Sequence, residues 1–146
     1  MLSAVIAVAG TLLGAVVAGL IQHRTTRAAQ DETRRTAIVN AVSSLTAALA
    51  DHRRAMWVRE DLRLTGGSSE AYRAARAASH ATRSAVTAPH TALAVLAPQL
   101  APLADAAARA TYALRGAETA GTLARLRDDA LAATDRLVTA TAEALA

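Results

Sequence analysis

The first 22 residues, MLSAVIAVAGTLLGAVVAGLIQ, carry no ionisable side chain. A bilayer core is crossed by a helix of roughly 20 apolar residues, so this pattern predicts a transmembrane helix over residues 1–22. No Gly or Pro occurs between Leu20 and Thr65, and the helix is expected to continue beyond the apolar run. Residues 23–37 are polar and basic and lack a seam, as expected of a helical stalk. A seam then runs through Ile38, Val42, Leu45, Leu49, His52 and Met56, in alternating steps of four and three. That is heptad spacing, which places one stripe against a partner helix.

Thr65-Gly66-Gly67-Ser68 is the clearest turn. Glycines end the first helix, and Ser68 is placed to cap the next, with Glu70 in its first turn. The second helix is expected over about 69–87, with a face of Ala71, Ala75, Ala78, Ala85 and Val86 and an end at Pro89. A further seam runs through Leu93, Leu96, Leu100, Leu103, Ala107, Ala110 and Leu114. It predicts a helix over about 90–115, either curved with Pro98 and Pro102 on its outer side or broken near Pro98. After Gly116–Gly121, the stripe Leu123, Leu126, Ala130, Ala133, Leu137, Ala140 and Ala144 predicts a last helix over about 119–145. Leu131, Val138 and Leu145 widen that face towards bundle packing. No alternation of β type occurs. The expected fold class is all-α: an N-terminal transmembrane helix (1–22), a basic juxtamembrane stalk (23–37), and a cytoplasmic antiparallel helical bundle or long helical hairpin (38–146).

Composition sharpens this picture. Cysteine is absent, which excludes disulfides and thiolate metal sites. Ala, the best helix former, makes up more than a quarter of the chain, and every basic residue other than His is Arg. Such usage suggests a GC-rich coding genome. Charge is uneven: residues 22–90 hold eleven Arg against six acids, whereas residues 91–146 hold five against six. Arginines flank the apolar run only on its C-terminal side, so the positive-inside rule predicts a single-pass cell-membrane protein with its N-terminus outside and its C-terminal domain cytoplasmic. Arg24, Arg27, Arg34 and Arg35 are then candidate contacts for anionic lipid of the bilayer. Gly10, Gly14 and Ala18 recur every four residues and are candidates for close association of membrane helices, hence self-association.

No enzyme motif is present. Gly66-Gly67 has neither the Lys nor the strand of a phosphate loop, and there is no HExxH. The expectation is a non-enzymatic protein with no cofactor and no metal. His52 interrupts the first seam, and the turn near Gly66 sets it level with His80. The two are candidates for a polar layer that fixes helix register, as single buried polar residues do in coiled coils. Arg73, Arg76, His80, Arg83 and His90 form a basic stripe suited to an acidic partner, lipid or nucleic-acid phosphate. The single Trp, Trp57, lies among arginines and joins this stripe as a candidate partner contact.

Three stretches carry a family likeness: Ala50 to Asp61 (ADHRRAMWVRED), Ser79 to Pro89 (SHATRSAVTAP) and Ala110 to Arg115 (ATYALR). Together with the small apolar N-terminus they resemble the KilB type of plasmid spread protein of filamentous actinomycetes. The resemblance covers most of the chain, but its motifs are not catalytic. It implies a membrane-associated protein that assists conjugative plasmid spread between mycelial compartments, beside membrane-bound DNA-transfer machinery. The expected function is an interaction protein of that kind. The alternatives are a membrane-tethered module that binds nucleic acid directly, and a small membrane-perturbing protein.

Overall fold

In the computed structural model, the backbone is described over residues 2–146 and the side chains over residues 26–146. Four α-helices follow one another: α1 (Leu2–Thr65), α2 (Ser69–Leu96), α3 (Ala101–Tyr112) and α4 (Ala120–Leu145), with a short 3-10 turn at Pro98–Leu100. There is no strand among the described residues. The chain divides into two compact units, Met1–Thr36 and Ala37–Ala146. In the first, every side chain from residue 26 to residue 36 is exposed.

No helix among the described residues is long and apolar enough to cross a membrane. This corrects the expected fold class, which becomes all-α without a membrane-spanning helix among those residues. The single-pass, N-outside cell-membrane localisation is corrected with it. The physical reason is the charge spacing. Spanning demands about 20 consecutive apolar residues, whereas the described part of α1 carries Arg27, Asp31, Glu32, Arg34 and Arg35 within three turns, and Asp51, Arg53, Arg54, Arg59 and Glu60 further on. The association face at Gly10, Gly14 and Ala18 lies outside the described residues, as does the side chain of Arg24.

In the second unit, the first seam is buried along its whole length: Ile38, Val42, Leu45, Leu49, His52 and Met56 all lie in the interior. Ile38, Val42, Leu45 and Leu49 cluster with Val86 and Leu93 of α2, Leu100, Ala104, Ala107 and Ala108 around α3, and Ala133 and Leu137 of α4. Small alanines on α3 and α4 allow close helix approach, so the large leucines of α1 can fill the space between them. A second cluster, Met56, Leu114, Ala117, Leu123 and Ala130, closes the other end, with Trp57 half-buried at its edge.

The turns follow from local chemistry. Gly66 has φ +74°, and the Gly67 N–H donates to the Leu62 carbonyl at 2.9 Å, the six-to-one bond of a Schellman cap. The Ser68 hydroxyl accepts from the Ala71 N–H at 3.2 Å, as the sequence predicts. Thr119 does the same for α4, accepting from the Thr122 N–H at 3.1 Å.

One expectation about prolines changes, and the choice between a curved helix and a break near Pro98 is decided for the break. α2 does not stop before Pro89 but runs through it to Leu96. Val86 and Leu93 lie a heptad apart on one buried face, and their burial offsets the lost hydrogen bond. The break comes at Ala97, with φ −141° and ψ 73°. A residue before proline is pushed out of the helical region, and here it precedes Pro98. Pro102 sits in the first turn of α3, where its missing N–H is costless. The expected helix over 90–115 is therefore two pieces, and its first piece belongs to α2. The inward face of α2 also differs: Ala75, Ser79, Val86 and Leu93 are buried, whereas Ala78 and Ala85 are exposed.

Candidate functional site

His52, Met56 and Arg59 of α1, Ser79, His80 and Arg83 of α2, Tyr112 of α3 and Arg115 just beyond it line a cavity of about 200 Å³. The seam carries His52 to the bottom, where it is 2% exposed. Its Nδ1 lies 3.0 Å from the Thr82 hydroxyl. That hydroxyl lies within hydrogen-bond distance of the Ala78 and Ser79 carbonyls. It has one hydrogen to give, so its oxygen accepts from His52 Nδ1–H when it donates to a carbonyl. The α1–α2 register thus sets His52 against Thr82, two residues beyond His80, while His80 stands at the cavity wall.

Tyr112 is held from two sides. Its ring meets His52 edge-on, centroids 5.4 Å apart, and the Arg83 guanidinium lies 4.0 Å from its centroid. The wall therefore offers Arg59, Arg83, Arg115 and two histidines, and no carboxylate. Burial holds the His52 imidazole below its ordinary pKa. Arg83, Arg59 and His80 add repulsion, and a backbone hydrogen bond to Ser79 opposes it in part. At neutral pH the ring is therefore uncharged.

Glu60, the next polar position inward on α1, is a residue that sequence reasoning missed. It is 1% exposed, with Arg63 Nε 2.6 Å away and Arg59 Nε 3.6 Å away. Arg63 also donates to the Ala117 carbonyl, tying the end of α1 to the α3–α4 connection. The signal was available: continuing the seam beyond Met56 by three or four residues reaches Arg59 and Glu60.

The other expected residues are distributed as follows. Arg73 and Arg76 are exposed on α2 and do not line the cavity, so only His80 and Arg83 of the stripe reach it. Trp57 is absent from this cavity. It lines a separate one with Ala50, Arg53, Arg54 and Arg127, while its neighbour Met56 points into the core. Arg27, Arg34 and Arg35 are exposed on α1. His90 of α2 pairs with Asp105 of α3 at 2.8 Å. No group of three or more His, Asp or Glu that could hold a metal ion occurs among the described residues.

Known proteins bear on this geometry. No solved structure matches the chain. A curated relative, Protein KilB of Streptomyces lividans, is 63% identical over 142 residues, which is 97% of each chain. Residues 39–145 match the family model described as KilB plasmid transfer protein. The matched stretch falls within the unit Ala37–Ala146, so it contains every side chain of the cavity. The chain belongs to the KilB family of plasmid transfer proteins.

Proposed function

We propose that the chain acts in plasmid transfer as an interaction module, and that the basic face of α2 with the cavity beneath it receives an acidic partner protein of the transfer machinery. One observation carries the reading: Arg59, Arg83 and Arg115, from different parts of the fold, converge on one cavity whose wall contains no carboxylate, and of the three Arg59 has the buried Glu60 beside it. A folded protein gains nothing by gathering like charges. They repel one another, and the arrangement is stabilised when an opposite charge enters. Arg73 and Arg76, exposed on the same helix, extend the positive surface outward and would steer such a partner. The helical unit around it, Ala37–Ala146, supplies a rigid frame rather than a reaction centre.

The test is plasmid transfer between mycelia carrying the double charge reversal Arg76→Glu and Arg83→Glu. Both side chains are exposed, so the helix content should be unchanged by circular dichroism. Transfer should fall by about tenfold or more, the effect of about 1.4 kcal/mol lost at one interface. Arg136→Glu, exposed on α4, should transfer like wild type. Normal transfer by the double variant would remove the α2 face from the mechanism.

A further inference from the structure

The cavity beside Trp57 shares no residue with the one described above. Arg53, Arg54, Trp57 and Ala50 come from α1 and Arg127 from α4, and together they enclose about 420 Å³. We propose that this cavity is a binding site for a phosphomonoester, with the arginines holding the phosphate and the Trp57 side bordering the organic group.

Arg53 is the reason to expect a ligand. Its Nη1 is buried and has no hydrogen-bond partner. A buried donor on a charged group left unpaired is costly, more so than a neutral one. Burial also holds the guanidinium below its ordinary pKa. Repulsion from Arg127 and Arg54 adds to this, and Asp135 of α4 offsets only part of it. An oxyanion in the cavity would offset the repulsion among Arg53, Arg54 and Arg127 and would reverse the sign of the local field.

The lining charges indicate which oxyanion. Arg53, Arg54 and Arg127 contribute three positive charges, and no acid lines the cavity. Asp51 lies 3.6 Å from Arg54, with both side chains mostly exposed, and this offsets one charge from outside. Asp135 also acts on Arg53 from outside, and the positive excess that remains is offset by a phosphomonoester, which carries about −1.5 to −2 near pH 7 and presents three strong acceptor oxygens. Guanidinium forks also suit phosphate geometry. The volume exceeds what one phosphate needs, which leaves room for the group esterified to it. The Arg127 guanidinium lies 5.4 Å from the centre of the Trp57 ring, so phosphate capture at Arg127 would be felt by the indole.

That coupling supplies the assay, because Trp57 is the only Trp in the chain. Purified full chain is titrated with inorganic phosphate, with ribose 5-phosphate and with AMP, while Trp57 emission is followed at constant ionic strength. A saturable change is expected below about 10 mM, a range that includes millimolar affinities. Stronger binding of AMP than of the other two would identify a nucleotide as the source of the phosphate, and equal binding would identify the phosphate alone. Arg53→Gln should raise the half-saturating concentration about tenfold or more, the loss of one charge-assisted hydrogen bond. Arg127→Gln alters an exposed residue and should do the same with the fold intact. Arg136→Gln should match wild type. The proposal is overturned if no probe saturates, if sodium chloride alone reproduces the change, or if both Arg53→Gln and Arg127→Gln bind like wild type. Transfer by the α2 charge-reversal variant is read separately, so the two sites fail or stand independently.

Discussion

Glu60→Gln removes one charge and almost no volume from the interior of the α1 end. Glu60 is 1% exposed, and its two partners differ: the Arg59 side chain is 12% exposed and that of Arg63 is 39% exposed. Without the carboxylate, Arg59 is a nearly buried cation, and its Nε already lacks a hydrogen-bond partner. Breaking a buried pair by removing one partner costs about 3–5 kcal/mol, because the other charge is left uncompensated. Glu60→Gln is expected near the lower end of that range, since the amide can still accept from Arg63. Arg63→Ala should cost less, about 1 kcal/mol. Its head is partly in water, where ion pairs are weak, and the larger part of its loss is the hydrogen bond to the Ala117 carbonyl. Urea unfolding followed through Trp57 measures both. With a urea dependence of about 1–3 kcal/mol/M, Glu60→Gln should lower the midpoint by about 1–3 M. Adding Arg59→Met to Glu60→Gln should recover part of the loss, because it deletes the orphaned charge. The reasoning fails if Glu60→Gln lies within about 1 kcal/mol of wild type, or if Arg59→Met makes matters worse by its full single-variant cost.

Two further outcomes follow from the same geometry. His52 has a folded-state pKa below its ordinary 6.5, so below that pH the unfolded chain binds more protons than the folded one. The stability that His52 contributes is therefore complete above pH 6.5 and is lost as pH falls through 6.5 towards the folded value, by at most about 1.4 kcal/mol per pH unit for one proton. Urea midpoints at pH 7.5 and 5.5 should separate more in wild type than in His52→Gln, and equal separation would contradict the neutral, buried assignment. Pro89 lies inside α2 and deprives it of one backbone hydrogen bond, a defect of about 3 kcal/mol in a regular helix. Pro89→Ala should therefore raise the thermal midpoint, and a lower midpoint would mean that the proline is held in place by packing rather than tolerated.

Much of the helical unit was legible in the order of residues. Heptad spacing along Ile38 to Met56 and along Leu123 to Leu137 marks positions that can be buried only on one side of a helix, and these positions form the core. The Gly66 turn was equally legible, because a left-handed φ at that place favours a residue without a side chain. Pro98 ends a helix by local sterics, which act through the residue before it. Tertiary structure alone decided that α2 would survive Pro89, since the compensation comes from what Val86 and Leu93 meet across the core. It also decided that Glu60 would be buried between Arg59 and Arg63, and that His52 would meet Thr82 and Tyr112. The apolar run at the N-terminus led to an expected membrane span that the described helices do not supply. The clearest division concerns the two arginine clusters. Counting Arg along the chain gives their number and the charge imbalance. Only the packing of α1 against α2 and α3 brings Arg59, Arg83 and Arg115 to one cavity, and only its packing against α4 brings Arg53, Arg54 and Arg127 to another. Charge acts through distance in space, and residues as far apart as Arg53 and Arg127 become neighbours only when the bundle closes.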